Sequence, residues 1–114
     1  MPICGSSRRE NCVLDGNTFR LNGLNIRISN IDTPQIDGRC AEESRVASEA
    51  TRTLARLLHR QPIEIRSMGR DKDDEYLLAE IYTPDGDVSE KMIRWRVAVP
   101  WRGRQEPVET WCGA

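Results

Sequence analysis

The dipeptide Asn22-Gly23 restricts the fold of this chain more than any other feature, because it separates two short segments of alternating apolar and polar residues. Both residues tolerate the positive φ that a two-residue hairpin turn requires. Residues 24–29 alternate with a period of two, which is typical of a strand with one buried face. The sequence therefore predicts a hairpin between residues 18–21 and a strand that starts at Leu24 and ends at Pro34.

A third strand and a long helix surround this hairpin in the sequence. Cys12-Val13-Leu14 predicts a strand before it, and Asp15-Gly16-Asn17 predicts a bulge or turn in which the glycine accommodates a positive φ. After the hairpin, residues 41–59 carry apolar side chains at helical spacing with charged residues between them. This pattern indicates an amphipathic helix.

The second half of the chain predicts two strands, at 63–66 and 76–82, with a charged loop at 70–75 between them. A short helix then begins with Asp87 as its N-cap and Glu90 at the third helical position, and it presents to the core Val88, Met92 and Trp95. From Val97 onward the pattern is irregular. Five strands with a helix inserted after the third predict a mainly β, α+β fold with two helices, built on a small closed or nearly closed barrel.

The composition is that of a single small domain over residues 1–114. Hydrophobic residues make up 38% of the 114 residues, which is enough for a modest core. The formal net charge is −1, from 17 basic and 18 acidic residues, so no strong global field attracts nucleic acid and a local basic patch would be needed. No apolar stretch is long enough to cross a membrane.

The four cysteines are scattered from end to end without a C-x-x-C pair, and the chain has 1 histidine. This spacing favours two disulfides, with a structural zinc site and four buried thiols as the alternatives. Disulfides imply an oxidising compartment. Met1-Pro2-Ile3 has neither the basic start nor the apolar run of a signal peptide. Because the disulfides imply export, we expect a periplasmic or secreted protein whose leader has been removed.

Several segments, in the same order, are similar to the staphylococcal nuclease (thermonuclease) family. They are residues 13–18 (VLDGNT), residues 26–35 (IRISNIDTPQ), residues 69–72 (GRDK) ahead of Leu77-Leu78-Ala79, and residues 98–101 (AVPW) near the end. The resemblance implies a five-stranded OB-type barrel. It also implies descent from enzymes that hydrolyse the phosphodiester bonds of nucleic acids with one Ca²⁺.

The family chemistry needs oxygen ligands for a hard cation, two arginines for the phosphate and a glutamate that activates water. By resemblance, Asp32 corresponds to a metal carboxylate, Thr33 to a neighbouring carbonyl ligand and Arg27 to one phosphate-binding arginine. For Asp32, capping of the Thr33-Pro34 turn is an equally good interpretation. For Arg27, the alternative is a structural ion pair with Asp32 or a neighbour.

Three positions depart from the family pattern. Asn17 stands where the family has its other metal-binding aspartate, and Gln35 stands where it has the catalytic glutamate. The loop that carries the second arginine reads Asp73-Asp74-Glu75-Tyr76 here, with one extra residue and no arginine, and its charge would repel a phosphate. A solvated charge run is the alternative interpretation of this loop. We therefore expect no cofactor or weakly bound Ca²⁺.

Arginine and tryptophan side chains in the C-terminal segment, together with two cations of the charged loop, predict a binding surface. Its members are Arg70, Lys72, Trp101, Arg102 and Arg104. Core filling is the alternative role for the tryptophans; we expect Trp95 to be buried and Trp101 and Trp111 to be exposed. The family layout brings the loop after Pro34 near the tail, which implies the disulfides Cys40–Cys112 and Cys4–Cys12.

The sequence supports three functional hypotheses. The first is a monomeric nuclease-like module that binds single-stranded nucleic acid or a nucleotide without hydrolysing it. The second is a weak Ca²⁺-dependent phosphodiesterase that uses Asp32 and Arg27. The third follows from family members associated with succinoglycan (exopolysaccharide) biosynthesis, in which case the tryptophan-bearing tail would face carbohydrate.

Overall fold

The predicted hairpin is present in the structure, a computed structural model that describes residues 1–6 and 9–113. Strands β1 (Cys12–Asp15), β2 (Thr18–Leu21) and β3 (Leu24–Ile28) form an antiparallel meander. Asn22 and Gly23 connect β2 to β3 with φ values of 50° and 83°, as a tight hairpin turn requires. The local prediction is confirmed because both turn residues accept this conformation.

The remaining elements follow in an order close to the predicted one. They are β4 (Ile31–Asp32), α1 (Ala41–Leu57), β5 (Glu64–Arg70), β6 (Leu77–Thr83), β7 (Gly86–Asp87), α2 (Val88–Arg94), β8 (Val99–Pro100) and α3 (Val108–Cys112). The prediction of one strand from Leu24 to Pro34 is wrong. The chain leaves the main sheet after Ile28, and β4 pairs instead with β8 of the tail.

The main sheet has the strand order β1-β2-β3-β6-β5, with β7 paired to the far half of β6. Strands β3 and β6 are parallel, and the other neighbours are antiparallel. The mixed α+β class is confirmed. Among the described residues, no pairing joins β1 to β5, so closure of the sheet into a barrel stays a prediction.

The core lies between the sheet and the two longer helices. Alternation along the strands places Phe19, Ile26 and Ile28 inside, where Ala50 and Leu54 of α1 meet them. The predicted reason for Gly16 is wrong, because its φ is not positive. Instead, a Cβ at Gly16 would lie 2.7 Å from the Ala50 Cβ, so glycine allows the β1–β2 turn to pack directly on α1.

Helix α2 begins as predicted, since the Asp87 carboxylate accepts the N–H of Ser89 at 2.9 Å. The prediction that Trp95 is buried is wrong: its side chain is 48% exposed. Trp95 is the C-cap, and the next residue, Arg96, has a φ of 61° that turns the chain back on itself. The periodicity predicts that Trp95 continues the buried face of α2, but the helix ends at Arg94, one residue earlier.

Two more predictions, the end of the fourth predicted strand and the number of helices, are wrong. Strand β5 continues to Arg70, where we predicted a loop, because Gly69, at a φ of 100°, absorbs a shift of register between Ser67 and Arg70. The tail contains α3, so the structure has three helices where two were predicted. Helix α3 lacks a long apolar pattern and is held instead by the disulfide at Cys112.

All four cysteines are in disulfides, Cys4–Cys12 and Cys40–Cys112, which are the pairs that the resemblance implies. The zinc and free-thiol alternatives are therefore wrong. The first bridge holds the N-terminal segment against β1, where Ile3 forms a parallel bridge with Val13. The second ties the start of α1 to α3 across 72 residues of sequence.

Candidate functional site

A cleft of about 860 Å³ opens where the β1–β2 turn, the end of β3, strand β4, the following loop and the tail meet. The residues that line it are Asp15, Asn17, Arg27, Ile28, Ser29, Ile31, Asp32, Thr33, Pro34, Gln35, Ile36, Asp37, Arg70, Asp71, Lys72, Leu78, Trp101 and Gln105.

The cleft brings together most of the residues singled out from the sequence. Its lining includes all five candidate catalytic and metal positions, which are Asn17, Arg27, Asp32, Thr33 and Gln35. From the candidate binding surface it includes Arg70, Lys72 and Trp101, whereas the exposed Arg102 and Arg104 lie outside its lining. Only three of the five residues of the candidate binding surface therefore line the cleft together.

Asp32 lines the cleft and is only 9% exposed. Its Oδ2 accepts the backbone N–H of Glu106 at 2.8 Å, and the carboxylate also accepts the N–H of Thr33. Burial raises the pKa of Asp32 above its ordinary value, against the opposing effect of the two N–H groups. Asp32 thus has a structural role, since it joins β4 to the tail.

Arg27 projects from β3 into the cleft, and its guanidinium carbon lies 4.1 Å from the centre of the Tyr76 ring. Among the residues that the structure describes, no carboxylate forms a salt bridge with Arg27, so the alternative of a structural ion pair is not what the structure contains. Stacking on one face leaves the N–H edge of a guanidinium available to an anion.

The donor atoms do not match a tight calcium site. Ca²⁺ takes six to eight oxygen ligands, most of them carboxylate. Here one Asp32 oxygen accepts a peptide N–H, and the Asn17 position supplies an uncharged amide whose oxygen accepts the Thr18 hydroxyl at 3.1 Å. In residues 1–6 and 9–113, no group of three or more His, Cys, Asp or Glu side chains is arranged to hold a metal ion.

The comparison with protein families agrees with this geometry. The model of the family described as staphylococcal nuclease homologue matches residues 25–110, a segment that contains Arg27, Asp32, Gln35 and the tail. The chain belongs to this family. No curated protein matches the chain. Membership in the staphylococcal nuclease family indicates a nuclease-type or nucleic-acid-binding function, and the link to succinoglycan stays a prediction.

The loop at residues 71–76, which by resemblance corresponds to the loop with the second arginine, is organised around Asp71. Asp71 accepts the N–H groups of Glu75 and Tyr76 at 2.8 and 3.0 Å, and these hydrogen bonds lower the pKa of its carboxyl. Arg70 is paired with Asp74 at 2.5 Å. Asp73, Asp74 and Glu75 are exposed and lie outside the lining of the cleft. Most of this charge is therefore solvated.

The charges that do line the cleft nearly balance. Four carboxylates (Asp15, Asp32, Asp37 and Asp71) face three cationic side chains (Arg27, Arg70 and Lys72). A phosphate would therefore find local cations without a strongly positive field. The lining still carries one more negative than positive charge, so the repulsion that the loop sequence predicts is weaker here but not reversed.

Sequence reasoning missed three residues that form hydrogen bonds beside the cleft, Arg39, Glu43 and Glu106. Glu43 is 0% exposed in the first turn of α1, and it pairs with Arg39 at 2.8 Å. The available signal was the helical spacing, because Glu43 lies three residues before Val46 and seven before Ala50, on the apolar face. A carboxylate on that face predicts a buried ion pair.

The described residues contain no helix that is long and apolar enough to cross a lipid bilayer. The two disulfides are consistent with an extracellular or periplasmic location, because such bonds persist in oxidising environments.

Proposed function

We propose that this protein is a binding module for single-stranded nucleic acid or a nucleotide, with a degenerate active site that hydrolyses phosphodiesters weakly or not at all. One observation carries the proposal: Arg27, which forms no salt bridge among the described residues, lines the same cleft as Asp32 and Thr33, while amides occupy the positions of the second metal ligand and the catalytic base.

The binding half of the proposal follows from Arg27 and Trp101. Arginine presents several N–H donors in a planar fork that matches phosphate oxygens. Trp101 lines the same cleft and is 45% exposed, so its indole face is open to a nucleobase. Stacking of a base on an aromatic ring is sequence-tolerant and typical of OB-type proteins that bind single strands.

The loss of hydrolysis follows from Gln35 and from the loop at 71–76. An amide does not accept a proton near neutral pH, and a general base contributes about 10² to 10⁴ in rate. A transition-state arginine contributes on the order of 10³ to 10⁵ in related phosphoryl transfers. The loop offers Tyr76 near Arg27 instead of a second arginine. Both losses reduce the same chemical step.

The first experiment measures binding of a fluorescein-labelled oligothymidylate of about 12 nucleotides, a length within the range of one OB site. We expect Arg27→Gln to weaken binding about tenfold and to lower the salt dependence by about one phosphate contact. Arg104→Gln is the matched control, since it removes the same charge outside the cleft and should change the affinity little. Equal losses in both variants would mean that the cleft is not the binding site.

The second experiment restores the family residues with the double substitution Asn17→Asp and Gln35→Glu. We expect the wild type to show weak or no Ca²⁺ binding by calorimetry and no cleavage of the oligothymidylate, and the double variant to bind Ca²⁺ more tightly. Ordinary family affinity for Ca²⁺ in the wild type would contradict the degenerate site. Recovery of binding without cleavage would identify the missing arginine as the remaining defect.

A weak phosphodiesterase is the second candidate, and one observation favours it. Arg70 and Lys72 both line the cleft, so a second cation could be recruited to the phosphate in place of the missing arginine. If the wild type cleaves the oligothymidylate and cleavage disappears in Arg27→Gln and in Asp32→Ala, this candidate replaces the first.

A further inference from the structure

Glu43 is a charged side chain without exposed surface, and all of its hydrogen-bonding capacity is directed to one segment. Its carboxylate accepts the backbone N–H groups of Gln35 and Arg39, both at 3.0 Å. It also accepts two guanidinium N–H groups of Arg39, at 2.8 and 2.9 Å. A carboxylate accepts about four hydrogen bonds, so Glu43 is fully satisfied by the loop that carries Gln35.

The Arg39 guanidinium continues this network to the other side of the cleft. Nε and Nη2 bind Glu43, and the third nitrogen, Nη1, donates to the backbone carbonyl of Glu106 at 3.2 Å. The N–H of the same Glu106 donates to Asp32 at 2.8 Å. A continuous path of hydrogen bonds therefore runs from Gln35 through Glu43, Arg39 and Glu106 to Asp32.

This path has two arms that meet at the ion pair between the partly exposed Arg39 guanidinium and the buried Glu43 carboxylate. The first arm sets the backbone of Gln35, which occupies the catalytic-base position. The second arm holds the tail against Asp32, and the same tail contributes Trp101 and Gln105 to the lining of the cleft. Glu43, Asp32 and Glu106 are buried, whereas the Arg39 side chain that joins the two arms is 31% exposed.

We propose that Glu43 is the positioning residue of the cleft, which sets Gln35 directly and Asp32 through Arg39 and the tail. The proposal extends the proposed function, since it assigns the shape of the binding cleft to a residue outside its lining. A purely structural ion pair would stabilise the protein as a whole without controlling these two walls in particular. The two possibilities differ in which backbone amides become exposed when the pair is altered.

Amide hydrogen exchange measured by NMR on three proteins tests the proposal: the wild type, Glu43→Gln and Glu42→Gln. Glu42→Gln is the matched control, because Glu42 is the neighbouring residue on α1 and forms an exposed ion pair with Arg45. Amides in the central strands β3 and β6 report global opening. We expect Glu43→Gln to speed exchange at Gln35 and Glu106 about tenfold beyond the change at the strand amides, as loss of a charged hydrogen bond predicts.

Arg39→Lys separates the two arms and also covers failure of Glu43→Gln to fold. Lysine keeps a positive charge beside Glu43 but lacks the planar fork that reaches Glu106 at the same time. We expect faster exchange at Glu106 and unchanged exchange at Gln35. Unchanged exchange at Glu106 in this variant, or a uniform acceleration of all amides in Glu43→Gln, would overturn the proposal.

Affinity for the oligothymidylate gives a second readout. We expect binding by Glu43→Gln to be about tenfold weaker than by the wild type and by Glu42→Gln, at a temperature where all three are folded. If Glu43→Gln shows the local exchange but binds normally, the positioning role is overturned. If the wild type does not bind, the proposed function fails, and the exchange pattern still decides the role of Glu43.

Discussion

Two loops border the cleft, and both use a carboxylate to hold their backbone N–H groups. In residues 35–40 the carboxylate is Glu43, which is 0% exposed and paired with Arg39. In residues 71–76 the carboxylate is Asp71, which lies near solvent, and the nearby Arg70–Asp74 pair is exposed. The same device is thus placed in two environments, and only in the first is the carboxylate itself shielded from water.

This difference indicates which of the two ion pairs stabilises the protein more. An ion pair near water is screened, and its measured contribution is about 0 to 1 kcal/mol. Losing the acceptor at Glu43 is more unfavourable, because its buried oxygens accept four hydrogen bonds, and each hydrogen bond to a charged group contributes about 1.5 to 3 kcal/mol. We therefore expect substitution of Glu43 to destabilise the loop at 35–40, and substitution of Asp71 to have little effect on the stability of the loop at 71–76.

The largest expected effect comes from the disulfide that ends the first loop. Replacing Cys40 and Cys112 by serine frees a loop of 72 residues, which we expect to lower the free energy of unfolding by about 4 kcal/mol. Serine at Cys4 and Cys12, separated by 8 residues, is the control and should lose about 2 kcal/mol. Urea unfolding measures both; equal losses would mean that the tail is held without the bridge.

The next effect is on acid stability. The Arg39 guanidinium beside Glu43 lowers the pKa of that carboxyl from 4.5 to about 2. The folded state therefore binds this proton less readily than the unfolded state, and the stabilisation is complete above about pH 4.5 and is lost as the pH falls towards about 2. Burial raises the pKa of Asp32, which has the opposite sign and reduces the loss.

Unfolding by urea at pH values between 2 and 7 tests this prediction. We expect Glu43→Gln to be less stable than the wild type by about 3 kcal/mol at pH 7, and the two curves to converge in acid. Asp71→Asn serves as the comparison from the exposed loop, and its curve should stay close to that of the wild type. A constant gap between Glu43→Gln and wild type at every pH would show that the charge of Glu43 is not what stabilises the first loop.

The smallest effects are expected in the loop at 71–76. Asp74→Asn removes the exposed partner of Arg70 and should leave the unfolding midpoint unchanged within error. Asp71→Ala should lower it slightly, because the N–H groups of Glu75 and Tyr76 lose their acceptor but can bind water. A loss in either variant as large as that of Glu43→Gln would remove the contrast between the two loops.

Local chemistry accounts for what could be predicted about the fold. The turn at Asn22-Gly23 and the cap at Asp87 depend on a few neighbouring residues, so the sequence predicts both, and the structure contains both. The tail was predicted less well. Its short helix and its pairing with β4 rest on contacts with residues far away in the chain, which periodicity does not reveal.

The amino-acid sequence by itself determined the hairpin, the amphipathic helix, the family and the residue types at the cleft, because each is written in short patterns. Tertiary structure decided which charges matter. It buried Glu43 and brought the N–H of Glu106 to Asp32 across 74 residues of sequence, and it left Asp73 and Glu75 in water. The energy of a charge depends on the dielectric around it, and only the folded chain sets that dielectric.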